Sequence, residues 1–127
     1  MIEILTFKRP WGVAFAFIAA VCIVFHPYLS LADMDAEIDH LLRFIENADC
    51  TFIRNGEPHS SQDAGAHIRK KYAYIKRRIK TTEDFIRYAA TKSSMSGQPY
   101  QVICDNEKMA TAEWLARELD RFRRETD

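Results

Sequence analysis

The chain has 127 residues, with 18 basic and 18 acidic side chains and no formal net charge. That length suits one domain rather than two. A balance near zero gives no electrostatic reason to expect nucleic acid as a partner.

The first stretch reads as an export signal. Lys8 and Arg9 supply a basic start, and Gly12 to Phe25 is apolar without a charge. His26-Pro27 breaks the run, and Ser30-Leu31-Ala32 places small residues at the two positions a signal peptidase reads. That order is a cleavable secretory signal, with the cut expected between Ala32 and Asp33. A membrane anchor is the competing reading, but a spanning helix needs ~20 apolar residues. The run here is shorter, and Pro27 follows it. A lipoprotein site at Cys22 fails on position, deep in the apolar run, and on its bulky neighbour Val21. The chain therefore divides into a signal at 1–32 and a single small domain at 33–127. Loss of Glu3, Lys8 and Arg9 leaves that domain 16 basic and 17 acidic residues. It carries no further membrane span or lipidation signal. The expected address is periplasmic or secreted.

Cys22 leaves with the signal, so Cys50 and Cys104 remain as an even pair in an oxidising compartment. Two such cysteines are expected to bond. The loop-entropy model gives a link of that span ~4 kcal/mol. A domain this small has a marginal core without it.

The mature domain opens with a helix predicted over Asp35–Ala48. Met34, Ile38, Leu41, Leu42 and Ile45 recur at helical steps, with Asp33 or Asp35 as the cap. Cys50–Arg54 reads as a short strand stopped by Asn55-Gly56. Ala64, Ile68, Tyr72, Ile75 and Ile79 then mark a helix from about Ser61 to Lys80. Thr81 and Thr82 start a third helix, with Asp84 at capping-box spacing from Thr81. Ser93 to Pro99 is a loop, and Tyr100–Cys104 alternates as a second strand. Asp105 to Lys108 is a turn. Thr111 caps a last helix carrying Trp114, Leu115, Glu118, Leu119 and Phe122 on its inner side. No internal repeat is visible. The fold class is mainly α, about four helices with a short two-stranded β patch near the disulfide.

Three blocks carry a family resemblance. The first is Cys50-Thr51-Phe52-Ile53-Arg54-Asn55-Gly56 with His59, Ala64, His67 and Lys71-Tyr72. The second is Phe85-Ile86, then Ser93-Ser94-Met95-Ser96-Gly97 with Pro99-Tyr100 and Cys104. The third is Trp114-Leu115 with Leu119. Together they resemble a family of small exported bacterial proteins catalogued as a domain of unknown function. The resemblance implies a periplasmic address and a shared architecture, and no activity.

Four constellations invite chemistry. His40, His59 and His67 lack metal-site spacing, and no His-Glu-x-x-His occurs, so no metal and no cofactor is expected. Ser93, Ser94 and Ser96 sit in neither a Gly-x-Ser-x-Gly elbow nor a Ser-x-x-Lys motif. The simplest role of these hydroxyls is to bond the loop backbone. A third group is polar. His67, Lys71, Tyr74 and Arg78 fall along one line of the second helix at ~100° per residue. With Arg54, Asn55, His59, Ser94, Ser96 and Tyr100 they form a candidate ligand groove, in which the amides of Ser96-Gly97 are suited to an anion. The opposing reading is a brace of internally satisfied polar groups. The fourth is the basic run from His67 to Lys80, which is suited to phosphate head groups or anionic glycans but is most simply the solvated face of an amphipathic helix. The leading functional expectation is a non-enzymatic binding or interaction module whose partner is an envelope protein or a small anionic ligand. The alternative is a small envelope hydrolase using His59 or His67 with the serine loop. No catalytic residue is assigned.

Overall fold

The computed structural model describes residues 30–127. Lys8, Arg9, the Gly12–Phe25 run, Cys22 and His26-Pro27 lie outside the described residues. Among those described, no helix is long and apolar enough to cross a membrane.

Helix α1 spans Leu31–Asn47. Its cap is Ser30 rather than Asp33 or Asp35. The Ser30 hydroxyl accepts from the amide of Asp33, and the Asp33 carboxylate accepts from the amide of Ser30. Asp33 thus acts as the third residue of a capping box. The predicted stripe of Met34, Ile38, Leu41, Leu42 and Ile45 is buried as one face.

The largest correction is to the sheet. Four antiparallel strands replace the expected pair: β1 (Thr51–Arg54), β2 (Glu57–His59), β3 (Gln101–Cys104) and β4 (Glu107–Ala110), in the order β2-β1-β3-β4. Two hairpins build it. Asn55 and Gly56 have φ of 52° and 77°, and Asp105 and Asn106 have φ of 50° and 65°. Positive φ at both central residues is the type I′ turn, whose twist matches paired strands. Asn55-Gly56 and Asp105-Asn106 therefore fold the chain back instead of ending a strand. Pro58 is tolerated in β2 because β2 is an edge strand.

Each hairpin leads directly into a helix, α2 (Ser61–Ile75) after the first and α4 (Thr111–Thr126) after the second. The two hairpin–helix units run in the same order, 50 residues apart element by element. This structural repeat was invisible in the sequence because few side chains coincide across it. Between the units lies α3 (Thr82–Ala89), with the expected capping box of Thr81 and Asp84. Helix α2 is shorter than predicted. Lys76–Arg78 tighten into a 3-10 turn, and Ile79 then takes extended backbone and buries its side chain. Tightening redirects the chain so that Ile79 reaches the core, which a continuous helix to Lys80 would have replaced with a longer rod.

The units join where β1 pairs with β3, with Phe52 opposite Val102 and both buried. Cys50 and Cys104 are disulfide-bonded beside this pairing, with Cα atoms 4.9 Å apart. Ion pairs tie the helices around it. The buried Glu37 of α1 accepts two bonds from Arg123 of α4, at 2.7 and 3.0 Å, and one from the Thr82 hydroxyl of α3. Buried Glu118 accepts from His40 at 2.7 Å, and the His40 ring stacks on Phe122 at 4.0 Å. Trp114 and Phe122 are half-buried rather than fully inside. Trp114 stacks on Phe44 at 4.4 Å and meets Phe52 edge-on at 5.6 Å.

Thr111 does not cap α4. The cap position is Ala110, without a side-chain bond, and the buried Thr111 hydroxyl has no partner. Its counterpart in the first unit is Ser61. Ser61 Oγ accepts from the Cys50 amide at 2.9 Å and donates to the Cys50 carbonyl at 3.1 Å. In the second unit the equivalent backbone is that of Tyr100. Its amide is spent on the Thr91 carbonyl and so cannot donate to the Thr111 hydroxyl, while its carbonyl accepts from the Thr111 amide. The pair predicts opposite outcomes in thermal or urea unfolding. Ser61→Ala should cost about 1–3 kcal/mol by stranding the Cys50 amide. Thr111→Val, which keeps the shape and removes an unpaired polar atom, should be neutral or stabilising.

Candidate functional site

The residues expected to form one groove separate into three places. Asn55 and Ser96 form a brace: the Ser96 hydroxyl donates to the Asn55 side-chain carbonyl, and neither residue lines the recess or the cleft that hold the other candidates. The amides once suited to an anion are already spent. Ser96 N–H points to Ser93 Oγ at 3.4 Å, and Gly97 N–H bonds the Ser93 carbonyl at 3.0 Å. Ser93 is buried and closes the loop on itself, also accepting from the Met95 amide at 3.3 Å. Two of the three serines are thus structural, as the loop composition suggested.

Arg54, His59, His67 and Tyr100 line a small recess of about 20 Å³ with Phe52, Ile68 and Thr111. That is room for about one water molecule. The half-buried edges of β1 and β2 supply Arg54 and His59, and α2 supplies His67. Tyr100 is the junction. Its hydroxyl lies 3.2 Å from His67 Nε2 and 3.4 Å from Lys71 Nζ. Lys71 Nζ also donates to the Lys92 carbonyl at 2.7 Å and sits 5.2 Å over the Tyr100 ring.

A larger cleft of about 550 Å³ opens on the other side of His67. Its walls carry His67, Lys70, Lys71, Tyr74, Ile75 and Arg78 from α2 and its 3-10 extension. Arg87 and Tyr88 come from α3, and Lys92 and Ser94 from the loop beyond it. The expected line of His67, Lys71, Tyr74 and Arg78 is one wall of this cleft. Five lysines and arginines line it, and no carboxylate does. Among the described residues none of the five makes an ion pair, whereas Arg43, Arg69, Arg117, Arg121 and Arg123 all do. The basic run of α2 is solvent-exposed as expected, apart from half-buried Lys71, but its side chains serve different neighbours. Arg69 pairs with Glu46 and Lys76 lies 5.8 Å over the Tyr72 ring, while Lys70, Lys71 and Arg78 face the cleft.

Sequence reasoning missed Lys70, Arg87, Tyr88 and Lys92 as parts of the site. Helical periodicity marks Arg87 and Tyr88 only as the outer side of α3. The return of α3 beside α2, which makes that outer side a wall, is a tertiary outcome with no local signal. Of the candidate serines, Ser94 alone lines the cleft, and no serine of the loop bonds a histidine among the described residues. Nor do three His, Cys, Asp or Glu side chains converge there.

The comparisons with known proteins bear on this site's setting. Residues 32–123 match the family of unknown function DUF5329. The chain belongs to that family. Over 70 residues it is 39% identical to the uncharacterized protein YfeK of Salmonella typhimurium, a match covering 54% of this chain and 58% of that protein. The alignment thus spans less than two thirds of the relative's length. No solved structure matches.

The electrostatics of the cleft are those of cations without counter-charge. Burial lowers the pKa of His67, and the positive charges of Arg54 and Lys71 lower it further. Burial also lowers that of Lys71, helped by Lys92. For His67 the sign follows directly. Between its lowered native value and the ordinary histidine value of 6.5, the unfolded chain binds more protons than the folded one. Stability should rise with pH through that interval, and the full loss should be in place below the native value. A titration of the His67 ring by NMR, beside urea unfolding at matched pH, checks this. His67→Gln should flatten that part of the profile.

Proposed function

We propose that this protein is an exported, non-enzymatic binding module that takes a small anionic ligand in the cleft between α2 and α3. The observation that carries the reading is the lining of Lys70, Lys71, Arg78, Arg87 and Lys92 without a carboxylate or an ion pair. Side chains of that charge held together repel one another, and an anion placed among them relieves the repulsion. Charge-assisted hydrogen bonds to a phosphate or carboxylate are the strongest class available to these groups. Tyr74 and Tyr88 add flat apolar walls. Binding of an anion would raise the pKa of His67 and Lys71, so affinity should increase as pH falls through the His67 titration.

Tripolyphosphate is a suitable probe for calorimetric titration. The expected result is binding that weakens with added salt. Arg87→Gln and Lys70→Gln should each cost about fivefold in affinity. Among the described residues neither side chain makes a hydrogen bond or ion pair, so both variants should unfold like the parent protein. No binding at low salt would overturn the reading.

Export rests on the charge, apolar run and small-residue site of the first 32 residues. Two positions agree with a cut after Ala32. The first core side chain among the described residues is Met34, and the family match begins at residue 32. The cut removes Ser30 and leaves Asp33 or Asp35 to cap α1. Intact mass measurement on protein recovered from its own cells should give a chain beginning at Asp33 and lighter by the two hydrogens of one disulfide. A mass that retains residues 1–32 would sink the assignment. Hydrolysis has no comparable support, because among the described residues no serine–histidine bond supplies a nucleophile with its base.

A further inference from the structure

The rim of the cationic cleft is apolar in a way the rest of the surface is not. Four large hydrophobic side chains are exposed among the described residues: Leu31, Tyr74, Tyr88 and Met95. Three of them gather at one place. Tyr74 and Tyr88 stand on opposite walls of the cleft, one on α2 and one on α3, and Met95 follows the cleft residue Ser94. Met95 is 98% exposed and Tyr74 is 87% exposed. The loop that carries Met95 is not slack. Ser93 and Ser96 pin it on both sides through the Met95 and Ser96 amides and the Asn55 side chain. A methionine held outward on a braced turn incurs the cost of apolar exposure without gaining burial within the domain. Isolated exposed hydrophobics are ordinary, but two in the walls of one cation cluster, with a third on the loop that follows its lining residue Ser94, form a patterned surface.

That pattern has a physical match. A bilayer bearing anionic phospholipids presents phosphate oxygens at the depth of the headgroups and hydrocarbon just beneath. Tyrosine sits well at that boundary, with its ring in the apolar zone and its hydroxyl in the wet one. Lysines and arginines near such a surface are attracted by its negative potential. We propose that the cleft is a membrane-docking face: a phospholipid headgroup phosphate enters among Lys70, Lys71, Arg78, Arg87 and Lys92, while Tyr74, Tyr88 and Met95 insert at the interface around it. This rests on the anion-binding reading of the same cleft and names where the anion is displayed. The domain would lie on the surface rather than cross it, since among the described residues no helix is suited to span.

The experiment is co-sedimentation of the mature, oxidised protein with vesicles of phosphatidylglycerol and phosphatidylcholine, set beside the tripolyphosphate titration. The expected result is binding to vesicles containing phosphatidylglycerol and none to phosphatidylcholine alone. Arg78→Gln with Arg87→Gln should lower vesicle affinity by about 25-fold, near fivefold for each charge. Met95→Ser lies outside the cleft lining. It should lower vesicle affinity about fivefold and leave tripolyphosphate affinity unchanged. Tripolyphosphate binding without vesicle binding would overturn the docking face and leave the anion cleft standing. Vesicle binding indifferent to both the paired arginine change and Met95→Ser would also overturn it, because another face would then be making the contact.

Discussion

The domain depends on the antiparallel pairing of β1 with β3. Each hairpin is closed by its own two-residue turn, and each is continuous with its own helix, so both units are local constructions. The sheet is continuous across them through a three-residue ladder, Thr51 with Ile103, Phe52 with Val102 and Ile53 with Gln101. That ladder puts Phe52 and Val102 on the same buried side, where α1 and α3 complete the core. A short sheet of this kind is marginal alone and stands only because helices cover it. The Cys50–Cys104 bond beside the ladder closes a loop of 54 residues, and in the entropy model such a closure is worth ~4 kcal/mol.

The cleft follows from the same joint. Tyr100 lies immediately before β3, and its position is set by the Thr91 carbonyl on one side and the Thr111 amide on the other. Its hydroxyl then meets His67 and Lys71 of the first unit. The second unit thereby holds one wall of the cleft, and α3 provides the other. Of the cleft's cations Lys71 is held in place, by the Lys92 carbonyl and the Tyr100 hydroxyl. Rigid support of this kind lowers the ordering cost that a ligand must overcome.

Much of the fold was legible in the sequence, and the failures have clear causes. The stripe of α1, the capping box of Thr81 and Asp84, and the inner face of Trp114, Leu115 and Leu119 all follow from helical spacing. So does the pairing of the cysteines from their number and the expected compartment. The missed strands, Glu57–His59 and Glu107–Ala110, are polar and lie at the sheet's edges, where neither alternation nor β-branching marks them. Asn55-Gly56 is a hairpin signal as readily as a stop, and only the partner strand decides between them. At the site, one wall of the cleft was readable from a helical wheel. The opposite wall was not, because the outward side of α3 becomes a cleft only when α3 folds back on α2. Ser96 and Asn55, chosen for their polarity, proved to be bonded to each other.

The position of the disulfide bears on the order in which the molecule is assembled. Contacts within each hairpin–helix unit close short stretches of chain and form early, whereas the β1–β3 ladder must bring together residues some fifty positions apart. The two thiols sit at that late joint and nowhere else. Within the described residues they allow one intramolecular pairing, so oxidation has no wrong partner to choose there. An exchanged dimer, in which each chain lends its second unit to the other, uses the same ladder and would be sealed by the same bond. Oxidation in dilute chains thus selects the self-contained domain, while crowding before oxidation favours a covalent pair. Secretion one chain at a time into an oxidising space is the circumstance in which this arrangement of sulfurs works in the monomer's favour.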